Sequence, residues 1–533
     1  MEDVDGSEWW RSATVYQIYP LSYADANGDG FGDLQGIIDH LGHLAGEADS
    51  LGVDAIWLSP IYRSPMVDFG YDVADHCAVD PRLGSIEDAD ALIRAAHARG
   101  LRVLLDFVPN HTSDQHEWFE QARRSRTDPK RDWYVWADPA PDGGPPNNWL
   151  SAFERVGRAW TFDEATGQYY LHSYTPQQPD LNWREPAVRA AMHDVMRFWL
   201  DRGVDGFRVD APHRLGKDEL LSDNAPDVVD LRVATQLDER RHRNLDDQIV
   251  HEFLRELRTV IDSYPDRVLI GEVGVHHPVR RRDYYGAGDE LQMVFDFGFW
   301  SNPWQADAFR RSGGEQEAVI EAGGWATHAL SNHDLSRHAS RYAVRRGRDG
   351  MARARAAAVL LTTLPGTTFL YYGEEIGMTD VPVPADRATD PDGRDPERTP
   401  MQWDFSLPAA GFSTARPWLP VPGAGPDVRT QSGDPGSLLS LYRDLLRLRR
   451  DHPGLRSADY ADLDAGADVY AFRRSDGLLV AINFSDTPRE AALLATSNAT
   501  VVLSTGARTL GAVVDPRELV LEPNEAVVLA ARH

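Results

Sequence analysis

Short apolar runs recur along the chain, and each ends in polar or acidic residues. Their length and their content of β-branched and aromatic residues predict strands that are buried on both faces. The eight runs are ATVYQIYP (13–20), DAIWLSP (54–60), LRVLLDFVPNH (101–111), GVDGFRVD (203–210), RVLIGEV (267–273), LQMVFDFGF (291–299), THALSNHD (327–334) and TTFLYYGEE (367–375). Between Pro186 and Arg202 the apolar residues fall on one helical face, and Gly203 follows as a stop signal. Strands that alternate with helices in this way predict a parallel (β/α)8 barrel of the α/β class.

Two long excursions interrupt this rhythm, and the last part of the chain changes pattern. Residues 112–182, after the third strand, are too many for a simple loop and predict a small inserted domain. Residues 211–265 form a second excursion, after the fourth strand. Beyond about residue 455, short alternating runs with turns predict an antiparallel β-sandwich over 455–533. The barrel would then comprise residues 1–111 and 183–454.

Charge and composition limit the classes of partner. The 533 residues include 55 Lys and Arg against 83 Asp and Glu, a formal net charge of −28. Such a chain repels nucleic acids and anionic lipid surfaces, so we expect a neutral small-molecule substrate. The single cysteine, Cys77, excludes an intrachain disulfide. The sequence shows neither a secretory signal nor a membrane-spanning apolar segment, so we expect a cytoplasmic protein. For its oligomeric state we expect either a monomer or a homodimer.

Three carboxylates stand at the carboxyl ends of predicted strands, where barrels carry their catalytic groups. They are Asp210 in GFRVD, Glu272 in VLIGE and Asp334 in LSNHD. Arg208 shares a strand face with Asp210 and should keep it ionised, which suits a nucleophile. Glu272 has apolar neighbours that could raise its pKa, which suits a proton donor. The residues alone therefore indicate an acid cluster of the kind that hydrolases use.

The segments DFVPNH, GFRVDAPH, IGEV and SNHD resemble the four signature regions of the α-amylase family of glycoside hydrolases, in the same order. QPDLNW (178–183) and GRDPERTPMQW (393–403) resemble its oligo-1,6-glucosidase-like, exo-acting α-glucosidase branch. The resemblance covers nearly the whole chain. It implies a retaining α-glucosidase that releases glucose from short α-glucosides, with glucosyl transfer as a further activity. Oligosaccharides or glucosides would be the small-molecule partners.

The resemblance also implies a role for each matching residue. Asp210 would be the nucleophile, Glu272 the general acid/base, and Asp334 the carboxylate that holds sugar hydroxyls. Among the substrate-binding residues, His111 and His333 would hydrogen-bond hydroxyl groups of the terminal glucose, and Tyr71 would be the aromatic platform under it. Arg208 would be the partner of the nucleophile. Asp68 would pair with an arginine to close the pocket, and Arg394 and Arg398 are both candidates for it. Glu375 in YYGEE matches no such role and is interpreted as structural. We expect the tryptophans of the insert mainly to build its core, and these are Trp118, Trp133, Trp136, Trp149 and Trp160.

The loop DANGDGFGD predicts a calcium site. Oxygen ligands alternate with glycines, as Ca²⁺ sites in tight loops require. The proposed ligands are Asp25, Asn27, Asp29, the carbonyl of Phe31, and Asp33. The branch resemblance also implies a structural metal here, and the distance from the acids indicates a role in stability. A hydrogen-bonded turn without metal is the alternative.

The residue after the predicted nucleophile leaves the linkage open. The branch has Val there for α-1,6 preference and Thr for α-1,4 preference, whereas this chain has Ala211. The segment HRLGKDELLSDN (213–224) resembles bacterial α-glucosidases with maltose-type substrates, which favours α-1,4 linkages. The alternatives are an oligo-1,6-glucosidase, a trehalose synthase that isomerises maltose, and a non-catalytic relative, which the retained acids disfavour.

Overall fold

The computed structural model describes residues 6–225, 242–275, 278–343, 350–491, 493 and 498–532. Eight strands of this part form one parallel sheet. They are β1 (Thr14–Ile18), β2 (Ala55–Leu58), β3 (Arg102–Phe107), β4 (Gly206–Val209), β5 (Val268–Gly271), β6 (Met293–Val294), β7 (Thr327–His328) and β8 (Thr367–Tyr371). The sheet runs from β6 back to β1 and then through β8 to β7, so each strand pairs with its neighbours in the chain, except that β6 and β7 form the two ends of this order. All of these strands except the first residue of β3 are buried along their length, and the predicted barrel is confirmed.

One long helix or helix pair follows nearly every strand. The principal helices are Leu34–Asp39, Leu41–Leu44, Ile86–His97, Pro186–Asp201, Val250–Asp262, Pro278–Asp283, Ala306–Glu321, Gly350–Thr363 and Leu438–Asp451. The shorter ones are Pro20–Tyr23, Glu117–Ala122, Phe297–Trp300, His338–Arg341, Val428–Ser432 and Pro453–Arg456. The predicted helix from Pro186 ends at Asp201, and Gly203 follows with a left-handed φ of 101°. None of the described helices is long and apolar enough to cross a membrane.

The insert after β3 carries its own antiparallel sheet, with strands Trp136–Ala137, Trp160–Asp163 and Gln168–Leu171. Trp149 and Trp160 pack with Leu171 in a small cluster, while Trp118, Trp133 and Trp136 pack against the main core. A separate hairpin pairs Tyr62–Arg63 with Asp75–Val79. Of the second excursion, residues 226–241 lie outside the described part. Its remainder includes a 3₁₀ turn at Pro212–Arg214 and the helix Val250–Asp262.

The C-terminal part consists of two antiparallel sheets that share an apolar core. The larger sheet contains Tyr460–Leu463, Val469–Arg474, Leu478–Asn483, Ala526–Ala531, Ala499–Ser504 and Val513–Val514, in that spatial order. The smaller sheet pairs Arg489–Ala491 with Leu519–Leu521. The C-terminal antiparallel β region expected from the alternating pattern is therefore present.

Candidate active site

Two of the three predicted carboxylates meet at one arginine. Asp210 and Glu272 directly follow β4 and β5, and Arg208 points from β4 toward both. Nη1 of Arg208 donates to Asp210 at 2.7 Å, and Nη2 forms an ion pair with Glu272. Arg208 is 1 % exposed, so these ion pairs are only weakly screened. The two acids therefore flank the two ends of a single guanidinium group.

A fourth carboxylate, Asp106, lies beneath this pair, although no sequence motif assigned it a role. Asp106 on β3 stands in register with Arg208 on β4, and Nη1 of Arg208 donates to it at 2.5 Å. Trp57 and Tyr71 each donate to its other oxygen at 3.1 Å. Burial raises the pKa of Asp106 to about 7, against the lowering effect of Arg208. The available signal was an acid inside the otherwise apolar run LRVLLDFV, since buried strands rarely contain an unpaired charge.

Burial also dominates at Glu272. It raises the pKa of Glu272 well above its usual value, and the negative charges of Asp210 and Asp334 add to this, while Arg208 opposes it. A carboxyl group with a raised pKa keeps its proton at higher pH and can donate it. This is the environment that the apolar neighbours of Glu272 predicted.

Asp334, which lies beyond β7, has the opposite environment. Burial alone would raise its pKa, but His333 and the guanidinium groups of Arg394 and Arg398 outweigh burial and hold that pKa well below its usual range. Arg394 and Arg398 each donate to Oδ1 of Asp334 at 2.8 Å. Asp334 is therefore an ionised hydrogen-bond acceptor at neutral pH.

The structure separates the two candidate arginines. Nη2 of Arg394 donates to Asp68 at 2.5 Å, and Arg394 lines the cavity together with Asp68. Arg398 is fully buried behind it, where it donates to the His333 carbonyl at 2.6 Å and to Asp390 at 3.0 Å. Arg394 rather than Arg398 thus forms the ion pair with Asp68.

The predicted sugar-binding histidines and Tyr71 form one connected wall. Tyr71 and His333 stack with an interplanar angle of 3°, and the Tyr71 hydroxyl lies 2.5 Å from Nε2 of His333. Nε2 of His111 lies 3.1 Å from the Tyr71 carbonyl and 3.1 Å from the Gln178 amide, which also donates to Asp68 at 3.0 Å. Burial lowers the pKa of both histidines, against the raising effect of Asp210 on His111 and of Asp334 on His333.

These groups surround a cavity of about 230 Å³, smaller than the range usual for drug-sized ligands. Its lining consists of Asp68, Tyr71, His111, Ala152, Phe153, Tyr174, Asp210, Glu272, Asp334, Asp392 and Arg394. Phe153 and Tyr174 come from the insert, where no sequence pattern marked them. None of the five insert tryptophans is among these lining residues. Glu375 lies elsewhere in the core, where it accepts from Tyr16 at 2.9 Å.

The predicted calcium ligands lie on one tight loop before the helix at Leu34. Asp25 accepts the N–H groups of Gly28 at 2.6 Å and Gly30 at 2.8 Å, and Asp33 caps the helix through Gly36 at 2.6 Å. Asn27 accepts the N–H of Asp29, and Asp29 accepts the N–H of Phe31. Within the described ranges, no three His, Cys, Asp or Glu side chains converge as a metal-holding group. The calcium site stays a prediction that rests on the oxygen-only donor set.

Comparison with known proteins places this geometry among sugar-processing enzymes. The catalytic domain of the α-amylase family matches residues 17–458. A probable α-glucosidase of Rhizobium meliloti (strain 1021) is 43% identical over 501 residues, which cover 88% of either chain. An oligo-1,6-glucosidase of Parageobacillus thermoglucosidasius is 37% identical over 90% of this chain and 91% of its own.

Two solved structures match over nearly their full length. The α-glucosyl transfer enzyme XgtA is 38% identical, with a TM-score of 0.88 over 98% of this chain and 99% of its own. The trehalulose synthase MutB of Pseudomonas mesoacidophila MX-45 is 34% identical, with a TM-score of 0.89 over 99% of this chain and 100% of its own.

Proposed function

The chain belongs to the α-amylase family and is a glycoside hydrolase, and from that premise we propose that it is a retaining, exo-acting α-glucosidase. The observation that carries this proposal is the pairing of one guanidinium group with both Asp210 and Glu272 at the wall of a small cavity. Two carboxylates about 5–5.5 Å apart are what retention requires, and binding to a shared arginine favours such a short separation.

The proposed reaction has two steps. Asp210 attacks the anomeric carbon while Glu272 donates its proton to the departing oxygen, and a covalent glucosyl–enzyme forms. Glu272 then takes a proton from water, which releases glucose with its configuration retained. Attack by a sugar or alcohol instead of water would give glucosyl transfer by the same route. Asp334 and His111 line the cavity, and we assign to them the hydrogen bonds with the hydroxyl groups of the glucose ring. His333, predicted for the same role, is fully buried and is not among the lining residues.

Exo action follows from the ion pair between Asp68 and Arg394. The pair lines the cavity with both charges buried, and Phe153 covers the Arg394 guanidinium at 4.9 Å from its ring centroid. A chain that continued past the terminal glucose would have to separate these charges. We therefore infer that one glucose is released per event.

Short α-1,4-linked glucosides are the proposed substrates, and α-1,6 linkages are the second candidate. Relatives named α-glucosidase favour the first and those named oligo-1,6-glucosidase the second. Isomerisation, as in the trehalose synthase alternative, is a further candidate because structural neighbours are named as glucosyl transfer and trehalulose-forming enzymes. Product analysis with maltose, isomaltose and sucrose separates these outcomes: glucose indicates hydrolysis, and a new disaccharide indicates transfer or isomerisation.

The nucleophile assignment has a direct test. Asp210→Gly should release no 4-nitrophenol from 4-nitrophenyl α-glucoside, and added azide should restore release with β-glucosyl azide as product. Asp201→Gly serves as the control, because Asp201 is exposed at the end of the helix that precedes β4, whereas Asp210 directly follows β4. Full activity of Asp210→Gly, or an azide adduct of α configuration, would contradict the proposal.

We also propose that calcium stabilises the loop at residues 25–33. Saturating calcium at a hundredfold its Kd would contribute about 2.7 kcal/mol, and should raise the melting temperature measurably. Asp29→Ala should lose this increment, while Asp39→Ala, on the exposed face of the next helix, should keep it. Equal melting temperatures with calcium and with chelator, together with no bound calcium by elemental analysis, would favour the metal-free turn.

A further inference from the structure

Arg214 is a buried cation, and no acid of the described part of the chain balances its charge. It is 4 % exposed, and its Nε and Nη1 have no hydrogen-bond partner within the ranges that the structure describes. Among the described residues no carboxylate forms an ion pair with it. Arg208 and Arg394 of the candidate active site differ in this respect, because each binds two or more carboxylates. A buried, unmatched guanidinium is unfavourable unless a ligand completes it.

The position of Arg214 places it beside the reacting groups. Arg214 lies four residues after Asp210. Between them, Ala211 adopts a left-handed φ of 43° and Pro212 starts a 3₁₀ turn. The N–H of Arg214 donates to the Ala211 carbonyl at 2.9 Å, which fixes this turn. The side chain therefore starts at the carboxyl end of β4, next to the nucleophile.

Tyr174 connects Arg214 to the cavity. The guanidinium carbon of Arg214 lies 5.4 Å from the centroid of the Tyr174 ring, and Tyr174 lines the cavity together with Asp210 and Glu272. Charges of Arg214, Asp210 and Glu272 all act on the Tyr174 hydroxyl. Tyr174 thus adjoins both Arg214 and the cavity that the two proposed catalytic acids line.

The carboxylates of Asp180 and Asp246 are paired with other basic groups near Arg214. Lys217 is already paired with Asp180 at 2.9 Å, and Arg280 is paired with Asp246. His242 is 5 % exposed, and both of its ring nitrogens lack a partner. Burial lowers the pKa of His242 to about 4, with Arg214 adding to the effect, so the ring is neutral. Among these neighbours, the unbalanced positive charge is therefore that of Arg214 itself.

We propose that Arg214 and Tyr174 form a specificity wall for the aglycone, and that this wall favours α-glucosides and acceptors bearing an anionic group such as a carboxylate. The proposal rests on the proposed function, because it assigns the leaving group to the side of Glu272. The glucose itself is held on the opposite side, where Asp68 and Arg394 close the cavity. The aryl or alkyl part of the aglycone would contact the Tyr174 ring, and its anion would bind the guanidinium.

Two substrates of equal size test the wall: 3-carboxyphenyl α-glucoside and its neutral 3-carboxamide. The measured quantity is the ratio of their kcat/KM values, so a general loss of activity cancels. Arg214→Met should lower the ratio by roughly tenfold, as the loss of one charge-assisted hydrogen bond implies, and Arg214→Lys should lower it less. Arg243→Met is the matched control, because Arg243 belongs to the same excursion and is exposed. The control should leave the ratio unchanged.

Binding to the Glu272→Gln protein, measured by calorimetry, repeats the comparison without turnover. A carboxylate preference that disappears in Glu272→Gln/Arg214→Met supports the wall. Equal losses for both substrates in Arg214→Met would show a structural role and overturn it, as would a ratio that stays at the wild-type value. Failure of the proposed function looks different, since 4-nitrophenyl α-glucoside would then not be cleaved by the unaltered protein. Should Arg214→Met not fold, Arg214→Lys and the calorimetric ratio decide.

Discussion

Arg394 holds three carboxylates at once, and its removal should change both affinity and product pattern. It binds Asp68, Asp334 and Asp390 at 2.5–2.8 Å. In Arg394→Met the cavity loses its closing ion pair. We expect KM for 4-nitrophenyl α-glucoside to rise roughly tenfold to a hundredfold, as loss of a charged hydrogen bond implies.

Chain-length analysis of products completes this test. Arg394→Met should accept glucosyl residues within a longer chain, and products longer than glucose should appear from maltohexaose. Arg416→Met, which removes an exposed arginine, should behave like the unaltered protein. Glucose as the sole product of Arg394→Met would show that the ion pair does not enforce exo action.

The pH dependence of hydrolysis should follow Glu272. Because burial raises the pKa of Glu272, the protonated acid persists to higher pH, and activity should be lost only as pH rises through that raised pKa. The basic limb of kcat/KM should therefore lie well above pH 4.5. With α-glucosyl fluoride, whose leaving group needs no proton, Glu272→Gln should still form the glucosyl–enzyme and show no such limb. A basic limb in Glu272→Gln identical to that of the unaltered protein would exclude this assignment.

Individual residues of the site also show which features the sequence predicts and which depend on contacts across the fold. The strand ends located Asp210, Glu272 and Asp334, because barrel geometry brings strand ends together. Asp106 was missed because its importance depends on cross-strand register with Arg208, which no spacing along the chain reveals. The choice between Arg394 and Arg398 likewise required the fold, since both lie on one 3₁₀ turn and its preceding residue.

At the level of elements, Lys217 connects the loop after β4 to the insert after β3. Its ammonium group donates to Asn110 at 3.0 Å and pairs with Asp180 at 2.9 Å, and Asp180 is completely buried. Asn110 precedes His111, and its amide lies 3.2 Å from Nδ1 of the His111 ring. One buried ammonium group thus ties the insert to a wall of the cavity.

Lys217→Met should destabilise the protein by about 3–5 kcal/mol, since it leaves a buried carboxylate without its partner. Asp180→Asn in the same protein should recover part of that loss, and urea unfolding of the two single variants and the double variant measures the coupling. Lys130→Met is the control, because Lys130 is the chain's other lysine and lies over the Trp133 ring, where the cost should be about 1 kcal/mol or less. Additive losses in the double variant would show that the two charges do not interact.

At the scale of the whole molecule, the order of the strands along the chain could be predicted from the sequence. The contacts between the barrel and the C-terminal sheets could not. The eight apolar runs and the alternating runs at the C-terminus were sufficient for the barrel and the terminal sheets, since periodicity is local. The junction between these two parts depends on buried arginines that satisfy backbone carbonyls. Arginine is common throughout this chain, so composition offered no signal for the two that are buried at this junction.

Arg449 and Arg474 form that junction. Arg449, on the helix Leu438–Asp451, donates to the carbonyls of Thr362 and Leu455 at 3.0 Å each. Arg474, on a strand of the C-terminal sheet, donates to Ser457 at 2.7 Å and also to Thr363. The helix Gly350–Thr363 follows β7, and its last carbonyls have no partner within the helix. Arg449 and Arg474, from the two sides of the junction, donate to these carbonyls.

Arg474→Met should therefore uncouple the C-terminal sheet from the barrel. It removes several hydrogen bonds to buried carbonyls, each worth about 1 kcal/mol, so we expect a loss of about 2–4 kcal/mol. Because the lost bonds cross the junction, unfolding should split into two transitions, with the C-terminal part melting first. Arg473→Met, one residue earlier on the exposed face of the same strand, should shift stability by no more than about 0.5 kcal/mol. Calorimetry distinguishes the outcomes: a single transition in Arg474→Met at the temperature of Arg473→Met would show that the sheets are held to the barrel by their apolar contacts alone.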